Sequence, residues 1–119
     1  MDQLERCKKW IEAALAYSGK THVYEDIVEG CKSGKMQLWP ADKGCLVTEI
    51  IPYPRRKVLN VFLGGGELEQ IMDMHEDVIA WAKSQGCNAL TMHGRRGWKK
   101  PLDKYDWQPL HVSYIKEFE

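Results

Sequence analysis

Three consecutive glycines, Gly64-Gly65-Gly66, separate an apolar run with β-branched residues from the strongest helical stripe in the chain. Glycine lacks a Cβ and reaches backbone conformations that other residues avoid, so such a run interrupts regular structure or marks a close approach. Before it, Lys57 to Leu63 has the composition of a strand. After it, Leu68, Ile71, Met72, His75, Val78, Ile79 and Ala82 recur at helical spacing between Glu67 and Gln85, and Gly86 stands where a terminating glycine belongs. The expectation is a strand, an abrupt glycine turn and one long helix on the sheet, with Glu76, Asp77 and Lys83 outside.

Upstream, Leu4, Cys7, Ile11, Ala14 and Leu15 form one stripe, widened by Trp10, and predict a helix over Asp2 to Tyr17. Thr21 is placed to cap a second, shorter helix that ends before Gly34, with Val23, Ile27, Val28 and Cys31 on its apolar face. The period then changes. Met36 to Trp39, stopping at Pro40, and Cys45 to Ile51 read as strands joined by an Asp42-Lys43-Gly44 turn. Pro52 and Pro54 make Pro52 to Arg56 a bend, so these two strands and Lys57 to Leu63 form an antiparallel meander. Asn88 to His93 is a further short strand, Arg95 to Asp106 an irregular turn with one helical segment, and Leu110 to Phe118 a final strand. The predicted order is αα-βββ-α-β-(α)-β, in one domain over residues 1–119.

Composition narrows the function classes. Seventeen Lys and Arg balance seventeen Asp and Glu, so the chain lacks the positive surplus with which a nucleic-acid-coating protein releases counterions. No apolar run is long enough to span a bilayer, and Met1 to Lys9 has no apolar stretch of the secretory type behind it. Cys7, Cys31, Cys45 and Cys87 show no C-x-x-C spacing, which predicts reduced thiols in a cytoplasmic setting and no metal site. His75 precedes Glu76, but no second histidine follows to complete H-E-x-x-H. Nor is there a nucleophile elbow, a Walker loop or a G-x-G-x-x-G turn.

The order of elements resembles the GNAT (N-acetyltransferase) superfamily with its first strand missing. The likeness is carried by "VLNVFLGGGELEQIMDMHEDVIAWAKSQGC", Val58 to Cys87, and by "VIAWAKSQGCNALTM", which is similar to that family's third helix running into its fifth strand. Downstream, "GRRGWKKPL…YDW" resembles small GNAT-like proteins of phages and prophages. The resemblance implies an α+β fold of three-layer style, with a mostly antiparallel central sheet flanked by helices. It also implies an acetyl-CoA site at Phe62, Leu63, Gly64, Gly65 and Gly66, which Arg95 and Arg96 could supplement.

The departures are specific. The family's pyrophosphate motif is Arg or Gln, two residues, Gly, one residue, then Gly or Ala, and its amides bind phosphate at a helix N-terminus. Here no Arg or Gln heads the loop, and Glu67 and Glu69 occupy the first helical turn, where their carboxylates suit the dipole and repel a diphosphate. The family's acidic Tyr aligns with Leu102, leaving Tyr105 as the neighbouring substitute, and Glu49 is the acidic residue on the strands available as a base.

Two functions follow. One is a phage- or prophage-type binding or virion-assembly protein without acetyl transfer and without cofactor, sited in the host cytoplasm or the virion. The other is an acetyl-CoA-dependent N-acetyltransferase acting on an amine, with backbone amides near Phe62 to Gly66 polarising the thioester carbonyl and Glu49 or Tyr105 moving protons. The densest candidate surface for a protein partner is the Arg95–Trp107 segment, with Arg95, Arg96, Trp98, Lys99 and Trp107, because guanidinium groups beside indoles are typical of interaction hot spots.

Overall fold

Asp2 begins the first helix by accepting a hydrogen bond from the Leu4 amide at 2.9 Å. In the computed structural model, which describes residues 2–17, 21–93 and 102–118, this helix is α1, Gln3–Leu15. It buries the expected stripe, Leu4, Cys7, Ile11, Ala14 and Leu15. The second helix, α2, runs Tyr24–Ser33 and starts later than Thr21 suggests. Its N-terminus is closed by Asp26, whose carboxylate accepts from the Val23 amide at 2.9 Å, while the Thr21 hydroxyl pairs with Nδ1 of His22.

The strands are β1, Met36–Ala41, β2, Gly44–Pro52, β3, Lys57–Gly66, and β4, Ala89–Met92. They form one sheet in the order β1-β2-β3-β4, with the first three antiparallel, as the meander predicts, and β4 parallel to β3. β1 continues through Pro40 instead of stopping there, because an edge strand can spare an amide. Between Val47/Thr48 and β3 the register shifts: Val47 faces Leu63 and Thr48 faces Val61, so Phe62 is the extra residue of a bulge.

The glycines do not form the expected turn. Gly64, Gly65 and Gly66 remain in the ladder opposite Leu46, Cys45 and Gly44. A Cβ on Gly65 would lie 2.7 Å from the Trp10 carbonyl oxygen, and one on Gly66 would collide with the carbonyl of Lys43. The run lets α1 and the β1–β2 turn press directly on the backbone of β3.

The single helix expected over Glu67 to Gln85 is two: α3, Leu68–Asp73, and α4, His75–Ser84. The Met74 amide bonds back to Ile71 at 3.1 Å, tightening the last turn of α3. No glycine or proline marks the break. The two halves serve different strands, α3 packing on β2 and β3 and α4 on β4. The helical stripe therefore changes direction at Met74, leaving Ile71, Met72, Val78 and Ala82 buried and Ile79 only half-buried. Leu110 to Phe118, expected as a strand, has no ladder partner among the described residues and is exposed throughout.

Two clusters fill the two faces of the sheet. Cys45, Val47 and Leu63 pack with α1 and α2, and Leu46, Leu59 and Val61 pack with α3 and α4. No helix of the described residues is long and apolar enough to cross a membrane.

Candidate functional site: the β3–α3 junction and the polar row across the sheet

One residue, Glu67, connects β3 to α3. Its amide already donates to the Lys43 carbonyl at 2.8 Å. The Lys43 amide in turn donates to Oε1 of Gln70 on α3 at 2.7 Å. On the other side of the same turn, Arg6 of α1 donates to the carbonyls of Ala41 at 2.8 Å and Asp42 at 3.2 Å. The β1–β2 turn is thus clamped between α1 and α3. Glu67 stands at the N-cap of α3 but makes no side-chain capping bond, and Glu69 lies in the first turn.

Beyond the bulge, β3 outruns β4. The parallel ladder covers only Val58 to Val61 opposite Ala89 to Met92, and Phe62 to Gly66 have no strand partner on that side among the described residues. The Phe62 ring meets the His22 ring edge-on, with centroids 4.6 Å apart. Arg95, Arg96, Trp98 and Lys99 lie outside the described residues.

Glu49 belongs to a row that spans three strands. Asn60, 5% exposed, donates from Nδ2 to Oε2 of Glu49 at 3.1 Å, and Thr91 donates from Oγ1 to Oδ1 of Asn60 at 3.0 Å. Strand register puts these three side by side, Glu49 opposite Asn60 and Asn60 opposite Thr91. Because Leu59 and Val61 point to the α3/α4 cluster, Asn60 between them points to the opposite face, and Glu49 and Thr91 with it. A carboxylate held by one neutral donor retains capacity to accept from a ligand ammonium or hydroxyl. Asn60 and Thr91 were missed from the sequence. The available signal was a lone amide side chain inside the apolar Val58-Leu59-Asn60-Val61-Phe62 run.

Tyr105 lies elsewhere. Its ring is 5.7 Å from that of His75, which also faces Trp107 at 6.1 Å. His75 and Trp107 line a small apolar cavity with Leu46, Val61, Val78 and Met92, on the α3/α4 face. Glu49 and Tyr105 are therefore on opposite faces of the sheet, whereas an acid and a base acting on one substrate atom must both be within hydrogen-bond reach of it. The indole nitrogen of Trp107 is buried without a hydrogen-bond partner.

The four thiols are free. Burial pushes the Cys45 thiol well above the ordinary range, and the neighbouring Cys7 adds to the effect. Burial also raises Cys31, with Asp2 adding to the effect. Among the described residues no group of three or more His, Cys, Asp or Glu is arranged so that it could hold a metal ion.

No protein-family model matches the chain, and no curated protein matches it by sequence. Solved structures do. An acetyltransferase of Trypanosoma brucei superposes with a TM-score of 0.62 at 10% identity, covering 80% of this chain and 78% of that one. The TTHA1254 protein of Thermus thermophilus gives a TM-score of 0.64 at 14% identity over 100% of this chain and 95% of that one. Glucosamine-6-phosphate N-acetyltransferase of Arabidopsis thaliana gives 0.59 at 12% identity, over 100% and 95%. At such identities the likeness speaks to architecture, and the architecture is that of the GNAT fold: a mixed α+β sheet of four strands flanked by helices.

Proposed function

We propose that this chain is a phage- or prophage-type binding protein, built on an acetyltransferase fold, that serves virion assembly or a similar docking role without transferring acetyl groups. The supporting observation is the closed β3–α3 junction. A diphosphate cradle needs a loop whose amides are free and a helix end that can receive anions. Here the glycines are held in the β2–β3 ladder, the Glu67 amide is spent on Lys43, and Glu67 and Glu69 bring negative charge to the same place. These residues do not fit the diphosphate of acetyl-CoA. The separation of Glu49 and Tyr105 by the sheet adds a second reason, since it leaves no paired acid and base. On this reading the partner is a protein, engaged through the Arg95–Trp107 segment, whose Trp107 end rests against His75.

One observation favours the alternative of an acetyl-CoA-dependent N-acetyltransferase acting on an amine: the unpaired edge of β3 from Phe62 to Gly66, where alternate amides face the side that β4 has vacated. Calorimetric titration with acetyl-CoA at low salt separates the two. Binding is expected to be absent in the unmodified protein. Micromolar binding would overturn the proposal and favour the enzyme. Binding only in a Glu67→Gln, Glu69→Gln variant would assign the exclusion to charge, and no binding in either would assign it to the closed junction.

A further inference from the structure

Independently of that reading, we propose that the cavity between α4 and the start of β4 binds a medium-chain carboxylic acid, with its carboxylate on Lys83 and Asn88 and its tail against Ile79 and Leu90. The cavity holds about 210 Å³ and opens to solvent. One wall is Ile79, Ala82 and Lys83 of α4, and the other is Cys87, Asn88 and Leu90. It lies at the Val58–Ala89 end of the β3–β4 ladder, whereas the β3–α3 junction is at the far end of β3. An apolar concavity with a few placed polar groups is the usual make-up of a small-molecule site.

The path of the chain sorts the lining by polarity. The Cys87 amide donates back to the Ala82 carbonyl at 3.0 Å, so the chain turns sharply between α4 and β4. Lys83 and Asn88 flank that turn, and Ile79 and Leu90 stand farther from it on either wall. The polar end offers donors. Oδ1 of Asn88 already accepts from Nε of Arg56 at 3.0 Å, which leaves the Nδ2 donors for a ligand. Lys83 is exposed, and its ammonium has no hydrogen-bond or ion-pair partner among the described residues. Two donor groups suit the two oxygens of a carboxylate.

Charge at this end has one sign. The sequence holds no Asp or Glu from Ile50 to Gly66 or from Val78 to Leu102, although the whole chain balances seventeen acids with seventeen bases. Arg56 reaches the turn through Asn88, and Lys57 donates from Nζ to the Gln85 carbonyl at 2.9 Å. An anion arriving at Lys83 therefore meets positive charge with no carboxylate competing for it. The size of the cavity sets the tail. An apolar cavity of ~150 Å³ takes benzene, so about 210 Å³ suits a chain of about eight carbons.

The test is titration of sodium octanoate into the nitrogen-15-labelled full chain, followed by amide NMR. Saturable shifts centred on residues 79–90 are expected, with a dissociation constant of about 1 mM or lower. Butanoate, with a shorter tail, should bind at least about ten-fold more weakly. Octylammonium, with the same tail length and the opposite charge, should also lose about ten-fold or more, and so should octanoate on Lys83→Gln. Lys83 is exposed, so this variant keeps the fold and its amide spectrum away from the site. No saturable shift up to about 10 mM octanoate overturns the proposal. So does octylammonium binding as tightly as octanoate, or an affinity unchanged in Lys83→Gln.

Discussion

Gly65→Ala tests whether the glycine run is a clamped strand or a ligand cradle. The added Cβ would sit 2.7 Å from the Trp10 carbonyl oxygen, 3.0 Å from the Trp10 Cβ and 3.1 Å from its carbonyl carbon, where ordinary contact starts at 3.4 Å. Two of these three atoms are backbone, so no rotamer change relieves the clash. Helix α1 must withdraw by roughly 0.7 Å, loosening the contacts its buried Cys7 and Ile11 make with the sheet. Overpacking of this kind costs about 1–3 kcal/mol. Alanine also restricts the unfolded chain, which returns about 0.4–1 kcal/mol. The net loss expected is roughly 1–2 kcal/mol, or a fall in Tm on the order of 4–8 °C. Urea unfolding followed by tryptophan fluorescence and far-UV dichroism measures it. A loss under about 0.3 kcal/mol would refute the clamp and restore the glycines as a loop open to a ligand.

Ile11→Ala, at a fully buried position, should cost about 2–5 kcal/mol, and Ile79→Ala, half-buried on α4, less than half as much; equal losses in denaturant titrations would mean that the break at Met74 does not redirect the helical stripe. Asn60→Leu leaves the Glu49 carboxylate and Thr91 hydroxyl without their shared partner and should cost about 1–3 kcal/mol, whereas a neutral result would show that the polar row is incidental. Cys45 is held protonated by burial, so its contribution to stability is complete below its unfolded pKa, near the ordinary thiol value of 9.0, and declines as pH rises above that value. The stability lost between about pH 8 and pH 10.5 should therefore be smaller in Cys45→Ala than in the unmodified chain, and parallel curves would refute this. Alkylation after unfolding without reductant should modify all four thiols by intact mass, and two or fewer would show a disulfide.

What the sequence reveals depends on whether a feature is local. The stripe of α1 needs only helical spacing, and the meander needs only β-branched runs with turn residues between them, so both are legible. The division of the helix after Glu67 is not, because Asp73-Met74-His75 contains no breaker and the break follows from packing on different strands. Residues 110–118 have the pattern of a strand, but a pattern supplies only one side of a ladder. The Glu49–Asn60–Thr91 row is invisible for a related reason. Its members are eleven and thirty-one positions apart, and only the register of three strands brings them together.

The bulge at Phe62 governs the site more than the glycines do. Side chains on β3 alternate, so with Leu59 and Val61 on the α3/α4 face an unbroken strand would send Leu63 and Gly65 to that face as well. The extra residue reverses the alternation. Leu63 then joins Cys45 and Val47 in the α1/α2 cluster, and Gly65 turns toward α1, where the Trp10 backbone meets it. Upstream of the bulge, Asn60 keeps the phase that sets it beside Glu49. One inserted residue thus places the polar row and Gly65 on the same face of the sheet, although strict alternation along β3 would have set them on opposite faces. The clamp on Gly65 is therefore a consequence of the bulge, and it cannot be read from three glycines in sequence.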